Sequence, residues 1–299
     1  MSVKHPIVAV TGSSGAGSPT VTAAIKAVLR RLGSSYCIID GEGFHRYERL
    51  ELQELAAKYR AEGHPISHFA PEANLLDMLE SLLREYGDKG RGMHRRYVHD
   101  ARDAEETGCP EGTFTAWQAI PENTDILVYE GLHGCFVSDS VNIAKYMDLK
   151  IGVVPIVNLE WMQKIHRDTR HRGYSLEEVM ATVERRLPDY VRHITPQFSR
   201  TDINFQRIPV SDTSNPFEPQ EVPSVTESMI VVRFRSPKKL PYSLPYLLQL
   251  ISGSRMTRHN SLIMPGAELQ TGIQVILEPI MAQLLEQRDA VLAADPVPA

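Results

Sequence analysis

The stretch Ile7-Val-Ala-Val-Thr11-Gly12-Ser-Ser-Gly15-Ala-Gly17-Ser-Pro-Thr20-Val21 decides the fold. A β-branched run stops at Gly12, and from Val21 to Leu32 the residues Val21, Ala24, Ile25, Val28, Leu29 and Leu32 recur at helical spacing. The segment therefore reads as strand, glycine-rich turn and helix. Glycines let the backbone wrap closely enough for several N–H groups to converge on one anion, and the helix N-terminus adds a favourable dipole. A nucleotide phosphate is the natural occupant; the plainer alternative is a tight turn that holds no ligand. The candidate phosphate-binding residues are Gly12, Ser13, Ser14, Gly15, Ala16, Gly17, Ser18, Pro19 and Thr20. Against the pattern GxxxxGK[ST], Ser18 occupies the lysine position and Pro19 that of the Mg²⁺-binding hydroxyl. Proline fits a first helical turn sterically but offers a metal no oxygen. Ser18 and Thr20 are the neighbouring hydroxyls able to substitute.

Working outward, Tyr36–Asp40 reads as a second strand stopped by Gly41-Glu42-Gly43, with helical stretches from Arg49 to Arg60 and Glu72 to Tyr86. Gly87 to about Thr124 is rich in Gly, Pro and charge and is expected to be loop with little regular structure; loops that long in compact domains are often functional. Ile126–Tyr129 and Leu149–Val154 are apolar runs of buried-strand type. Asn158–Arg172 and Leu176–Leu187 read as helices, Met229–Phe234 as a strand and Gln270–Gln287 as a closing helix. Alternating strands and helices imply an α/β, doubly wound, mostly parallel sheet in one domain over residues 1–290, with 291–299 a disordered tail.

Composition narrows the function. With 299 residues, the chain is long enough to bury a sizeable core, and a net charge of -5 argues against a protein that wraps a nucleic-acid backbone. The three cysteines, Cys37, Cys109 and Cys135, form no CxxC pair and suit a reducing compartment. Neither a signal peptide nor a run of about 18 apolar residues is visible, so a cytoplasmic protein is expected.

Three further segments carry candidate chemistry. Asp40-Gly-Glu42-Gly-Phe-His45-Arg46 follows the second strand, where parallel sheets gather their ligands. A carboxylate there can accept the proton of an attacking hydroxyl while His45, Arg46 and Arg49 hold an anion; solvated loop charges are the competing account. Asp125-Ile-Leu-Val-Tyr-Glu130-Gly131 is an apolar strand ending in an acid, resembling the Walker B element that helps to hold Mg²⁺. On the helix after Val154, Lys164, Asp168 and Arg172 lie four apart on one face with Arg167 beside them. Exposed ion pairs of this spacing contribute only about 0.3–0.5 kcal/mol each, but the composition also suits closure over a transferring phosphate. Trp117, Trp161, the cysteines and most histidines read as bystanders.

The runs KHPIVAVTGSSGAG, FHRY, HFAPEANLL, YVHDA, GTFTAW, YEGLHG, IGVVPIVNLEWMQKIHRD, RGYS, PDYV, PQFSRTDINFQR and DTSNPF together resemble the short, proteobacterial phosphoribulokinase family, from Lys4 to about Pro279. That resemblance implies a P-loop NTPase-like kinase fold and transfer of the ATP γ-phosphoryl, with Mg²⁺, to the 1-hydroxyl of ribulose 5-phosphate. It implies that residues 12–20 hold ATP, that Glu130 serves the metal, and that His45, Arg49, Lys164 and Arg172 bind the sugar phosphate or its developing charge. Arg167 and Asp168 then stand at the reacting centre. It further implies a homo-oligomer, commonly octameric, activated by NADH and inhibited by AMP, with Arg233 in the region tied to that control. The family's EGDSFHR, with aspartate as base, is replaced here by Asp40-Gly-Glu42-Gly-Phe-His45, so Glu42 takes the base position. Three readings stand: a phosphoribulokinase, a related P-loop kinase of another metabolite, and a non-catalytic nucleotide-binding regulator.

Overall fold

The computed structural model describes residues 4–13, 17–63, 66–171, 173–217 and 221–294. Its strands are β1 (Ile7–Thr11), β2 (Tyr36–Asp40), β3 (Met93–His94), β4 (Gln118–Ala119), β5 (Ile126–Gly131), β6 (Leu149–Val154), β7 (Ile203–Pro209), β8 (Ser228–Phe234), β9 (Arg255–Arg258) and β10 (Ser261–Pro265). Its helices are α1 (Ser18–Arg31), α2 (Arg49–Ala61), α3 (Leu76–Lys89), α4 (Ala101–Thr107), α5 (Val157–His171), α6 (Leu176–Asp189), α7 (Leu244–Leu250) and α8 (Leu269–Ala294). Eight strands form one sheet in the order β2-β5-β1-β6-β7-β8-β10-β9. The first five run parallel, and β8, β10 and β9 extend the sheet antiparallel.

The period of two along each strand builds a core on both faces. Val8 and Val10 of β1 and Ile126 and Val128 of β5 point to one side, where Ile25 and Leu29 of α1 meet Ile273, Ile276 and Leu277 of α8. Ile7 and Ala9, with Leu127 and Tyr129, point to the other, against Leu79, Leu83 and Tyr86 of α3. Burial on both faces is why the parallel strands read as unbroken apolar runs.

Several boundaries differ from the sequence reading. The segment from Gly87 to Thr124 holds the end of α3, the ribbon of β3 and β4, and α4, whose N-terminus is capped by the Asp100 side chain accepting from the Arg102 and Asp103 amides. α6 runs past Leu187 to Asp189 with the proline at 188 inside its last turn, where proline removes an i→i−4 bond, and the chain then opens into a π turn over Tyr190–Ile194. α8 runs to Ala294, so residues 291–294 are helical rather than tail. β7, β9, β10 and α7 had no counterpart in the sequence reading.

Truncating Ile25, fully buried between α1 and the sheet, should lower unfolding stability by about 2–5 kcal/mol as Ile25→Ala. Leu50→Ala on the exposed face of α2 should change it by less than about 0.5 kcal/mol. Urea midpoints at constant m-value are the measurement.

Candidate active site

Every chemistry-bearing segment leaves the carboxyl end of a parallel strand, where open α/β sheets bind their ligands. The turn at residues 12–20 follows β1, the Glu42 turn follows β2, Glu130 closes β5 and α5 follows β6. Register sets these ends level: Asp40 pairs with Glu130, and Thr11 with both Gly131 and Gly152. The ends of β2 and β5 also touch, since a Cβ on Gly41 would lie 2.9 Å from the Gly131 Cα and 2.5 Å from the Tyr129 hydroxyl.

In the phosphate loop, the Gly12 amide donates to the Gly131 carbonyl (3.2 Å), and Gly17 adopts a left-handed conformation (φ 96°) before α1. Ser18 is buried and its hydroxyl finds no hydrogen-bond partner in the described chain, whereas Pro19 and Thr20 are exposed. Ser14, Gly15 and Ala16 lie outside the described residues, as does Arg172. Glu130 is mostly buried; burial raises its pKa, and the neighbouring Thr22 hydroxyl and Lys26 oppose the shift. Among the described residues no group of three His, Cys, Asp or Glu side chains is arranged to hold a metal.

Asp40 caps the 3₁₀ turn Gly41–Phe44 by accepting from the Glu42 amide at 2.9 Å. It is the most perturbed acid of the site: burial and then the Glu42 charge push its pKa from 3.8 to about 7, against the Glu42 hydrogen bond and His99. The Glu42 carboxylate projects beside His99 (Oε2–Nε2 3.5 Å). Arg49 reaches the same side, donating to the His99 carbonyl at 2.6 Å and standing over the Tyr97 ring. His45 is buried between His68 and Tyr97, and its pKa falls to about 3 through burial and the nearby His133, His99, Arg186 and Arg95. His133 drops to about 4 by burial.

On α5, Asp168 is ion-paired with Lys164 and with Arg167, the latter at 3.0 Å. Burial would raise the Asp168 pKa, but the two cations outweigh it and hold the carboxyl ionised. Lys164 and Arg167 line a cleft with His68, Trp161, Arg186 and Tyr190. The deep Arg186 has its pKa lowered to about 10, by burial first and by Arg185 next, and it feels both Asp168 and Glu42. Glu160, toward the phosphate loop, is raised by burial and drawn back by the Ser13 hydroxyl, Lys164 and Arg167.

Lys164 and Arg167 share their cleft with Arg186, whose charge reaches Asp168, Glu42 and His45, and Arg49 meets Glu42 through His99. Arg46 turns away, donating to the Glu72 and Asn74 carbonyls. Arg233 stands apart on the antiparallel half, lining a cavity of about 870 Å³ with Arg258, His259 and Asn204. Sequence reasoning missed His68, His99 and Arg186 and dismissed the tryptophans, yet Trp161 lines the cleft and Trp117 packs on Phe44. An available signal was Arg186, which falls on the stripe of Val179 and Val183 that α6 turns to the interior.

Asp40 also fixes a pH dependence. Its folded pKa (about 7) lies above its ordinary value of 3.8, so the native state binds more protons than the unfolded chain in between. Its contribution to stability is fully present below pH about 4 and is lost as pH rises toward 7. Asp40→Asn, which keeps an acceptor for the Glu42 amide, should show a smaller loss of stability from pH 4.5 to 7.5 than the parent chain, measured by paired urea titrations.

The profile described as "Phosphoribulokinase / Uridine kinase family" matches residues 7–214. The phosphoribulokinase of Nitrobacter vulgaris is 49% identical over 286 residues, covering 95% of this chain and 98% of that one. The chromosomal phosphoribulokinase of Cupriavidus necator is 48% identical over 289 residues, covering 96% and 98%. The solved structure of phosphoribulokinase from Rhodobacter spheroides superposes with a TM-score of 0.88 at 45% identity, covering 96% of this chain and all of that one.

Proposed function

Because the chain belongs to the phosphoribulokinase / uridine kinase family, a family of kinases with the P-loop fold, we propose that it transfers the γ-phosphoryl of ATP to the 1-hydroxyl of ribulose 5-phosphate. The observation that carries this reading is the cationic cleft of Lys164, Arg167 and Arg186 beside the neutral His45 and the Glu42 carboxylate. Arg186 makes no ion pair within 4 Å among the described residues, and a phosphorylated sugar supplies an anion for it where an uncharged nucleoside does not. Near-full-length relatives named phosphoribulokinase support the same acceptor.

In this mechanism Glu42 takes the proton of the attacking hydroxyl as the new O–P bond forms and the bond to the β-phosphate oxygen breaks, releasing ADP. Lys164 and Arg167 neutralise the charge on the transferring group. Asp168 remains ionised between them and orders both cations rather than accepting the proton. His45 and Arg49, with Arg172, orient the sugar phosphate; His45 does so as a neutral imidazole. The backbone of residues 12–20 cradles the ATP phosphates.

Mg²⁺ fits the donor set. Mg²⁺ is held by one or two carboxylates plus substrate phosphates rather than by an all-protein cage, which Glu130 and the orphaned Ser18 hydroxyl match. Ser18 would then supply the oxygen that Pro19 lacks, and an ion held by Ser18 and Glu130 would offset charge on the nucleotide phosphates. The reading extends to a cytoplasmic homo-oligomer, commonly octameric, with NADH and AMP as effectors; the cavity of Arg233 and Arg258 has the charge for such anions.

A coupled ADP-release assay with ATP, Mg²⁺ and either ribulose 5-phosphate or uridine tests the proposal. Turnover with ribulose 5-phosphate is expected; turnover only with uridine selects the related metabolite kinase, and ATP binding without turnover selects the regulator. Glu42→Gln should lower kcat by about 10²–10⁴-fold, and Glu42→Asp should raise it by restoring the family's geometry. An unchanged or lower rate in the aspartate variant counts against Glu42 as base. Ser18→Ala should raise the Mg²⁺ concentration needed for half-maximal rate, whereas Pro19→Ser should leave it unaltered.

A further inference from the structure

Glu42 and His45 stand on a four-residue 3₁₀ turn and the residue after it, too short to hold its own geometry, and the turn is gripped from both ends. Asp40 caps its start. At its end the Arg95 guanidinium donates from Nε to the Gly43 carbonyl and from Nη2 to the His45 carbonyl, both at 2.8 Å. The same guanidinium stands over Phe114, its central carbon 3.6 Å from the ring centroid, and over Trp117 at 4.9 Å. Trp117 in turn packs edge-on against Phe44 of the turn, at 5.6 Å.

Arg95 is carried by the 93–120 excursion, tied together by the β3–β4 pairing, the Tyr97–Phe114 bridge and the Thr115 amide donating to the Arg96 carbonyl (3.0 Å). Its backbone closes on the turn as well. A Cβ on Gly43 would stand 2.0 Å from the Arg95 carbonyl oxygen, so position 43 tolerates no side chain.

We propose that Arg95 is a positioning residue for the acceptor side of the site: its two hydrogen bonds and its aromatic seat fix the turn that aims Glu42 and His45. The inference rests on the reading of those two residues given above. No other side chain type fits the position. A guanidinium alone combines a planar fork for two carbonyls with a face that stacks on an aromatic ring, and lysine offers neither. Because a displacement of about 1 Å at a reacting group costs on the order of 100-fold in rate, loss of the brace registers in catalysis before it registers in folding.

The test uses the full-length enzyme. Arg95→Gln should lower kcat by about 10–100-fold and raise KM for ribulose 5-phosphate several-fold, with KM for ATP within twofold, because the phosphate loop leaves a different strand. Arg95→Lys should not recover the rate, whereas added methylguanidinium should partly restore kcat in Arg95→Ala. Phe114→Leu, which removes the stacking and leaves both hydrogen bonds, should give the same pattern at about 3–10-fold. Kinetics are expressed per folded molecule. Values of kcat and both KM within twofold of the parent in Arg95→Gln overturn the proposal, as does an unaffected Phe114→Leu if Arg95→Gln does not fold. Glu42→Gln run in parallel separates the two ideas. An active Glu42→Gln beside an impaired Arg95→Gln removes the general-base reading and leaves the positioning role through His45, while the reverse removes Arg95.

Discussion

The site depends on four strand ends finishing level. β2, β5, β1 and β6 are adjacent and parallel, and their register brings Asp40 beside Glu130 and Thr11 beside Gly131 and Gly152. Side chains at the last positions would force those ends apart. Gly41 and Gly131 remove them, and the Tyr129 hydroxyl fills the gap while accepting from the His133 amide at 3.3 Å. A sheet shifted by one residue would turn each terminal side chain to the opposite face and scatter the site.

Electrostatics then sort groups of similar chemistry into different tasks. Glu42, Asp168, Glu130 and Asp40 are all acids near one cleft, yet Asp168 is locked ionised by two cations while burial favours the protonated form of Asp40. The histidines behind them, His45 and His133, are held neutral by burial, so they contribute hydrogen bonds and no charge. The fixed positive charge of the cleft therefore comes from Lys164, Arg167 and Arg186.

The parts of the molecule legible in the sequence are those written by local rules. β1, β2, β6 and the opening helix follow from apolar runs, helical spacing and glycine stops, and the candidate segments follow from their place after strands. Interactions between distant segments were not legible. His99 meets Glu42 across 57 residues of chain, a pairing that neither spacing nor residue type announces. β7 ends in mixed polarity (Gln206-Arg207-Ile208-Pro209) because only its first half is buried, and β9 carries arginines at an edge, so neither matches a buried-strand pattern. The segment from Gly87 to Thr124 is expected from its composition to be loop, but it holds the β3–β4 ribbon and α4, and Arg95 within it bonds the Glu42 turn, a contact between distant segments that a reading along the chain does not contain.

The two ends of the chain share a layer. α1 packs its apolar stripe against α8, and Arg31 reaches Gln274 at 2.8 Å across a separation of 243 residues and Glu278 at 2.6 Å. During synthesis α1 emerges long before its cover, which lies 243 residues further along the chain at the Arg31–Gln274 contact. The apolar back of α1 is thus a surface for chaperones or neighbours until the last helix arrives, and loss of the carboxyl-terminal segment would strip support from the opposite end of the molecule.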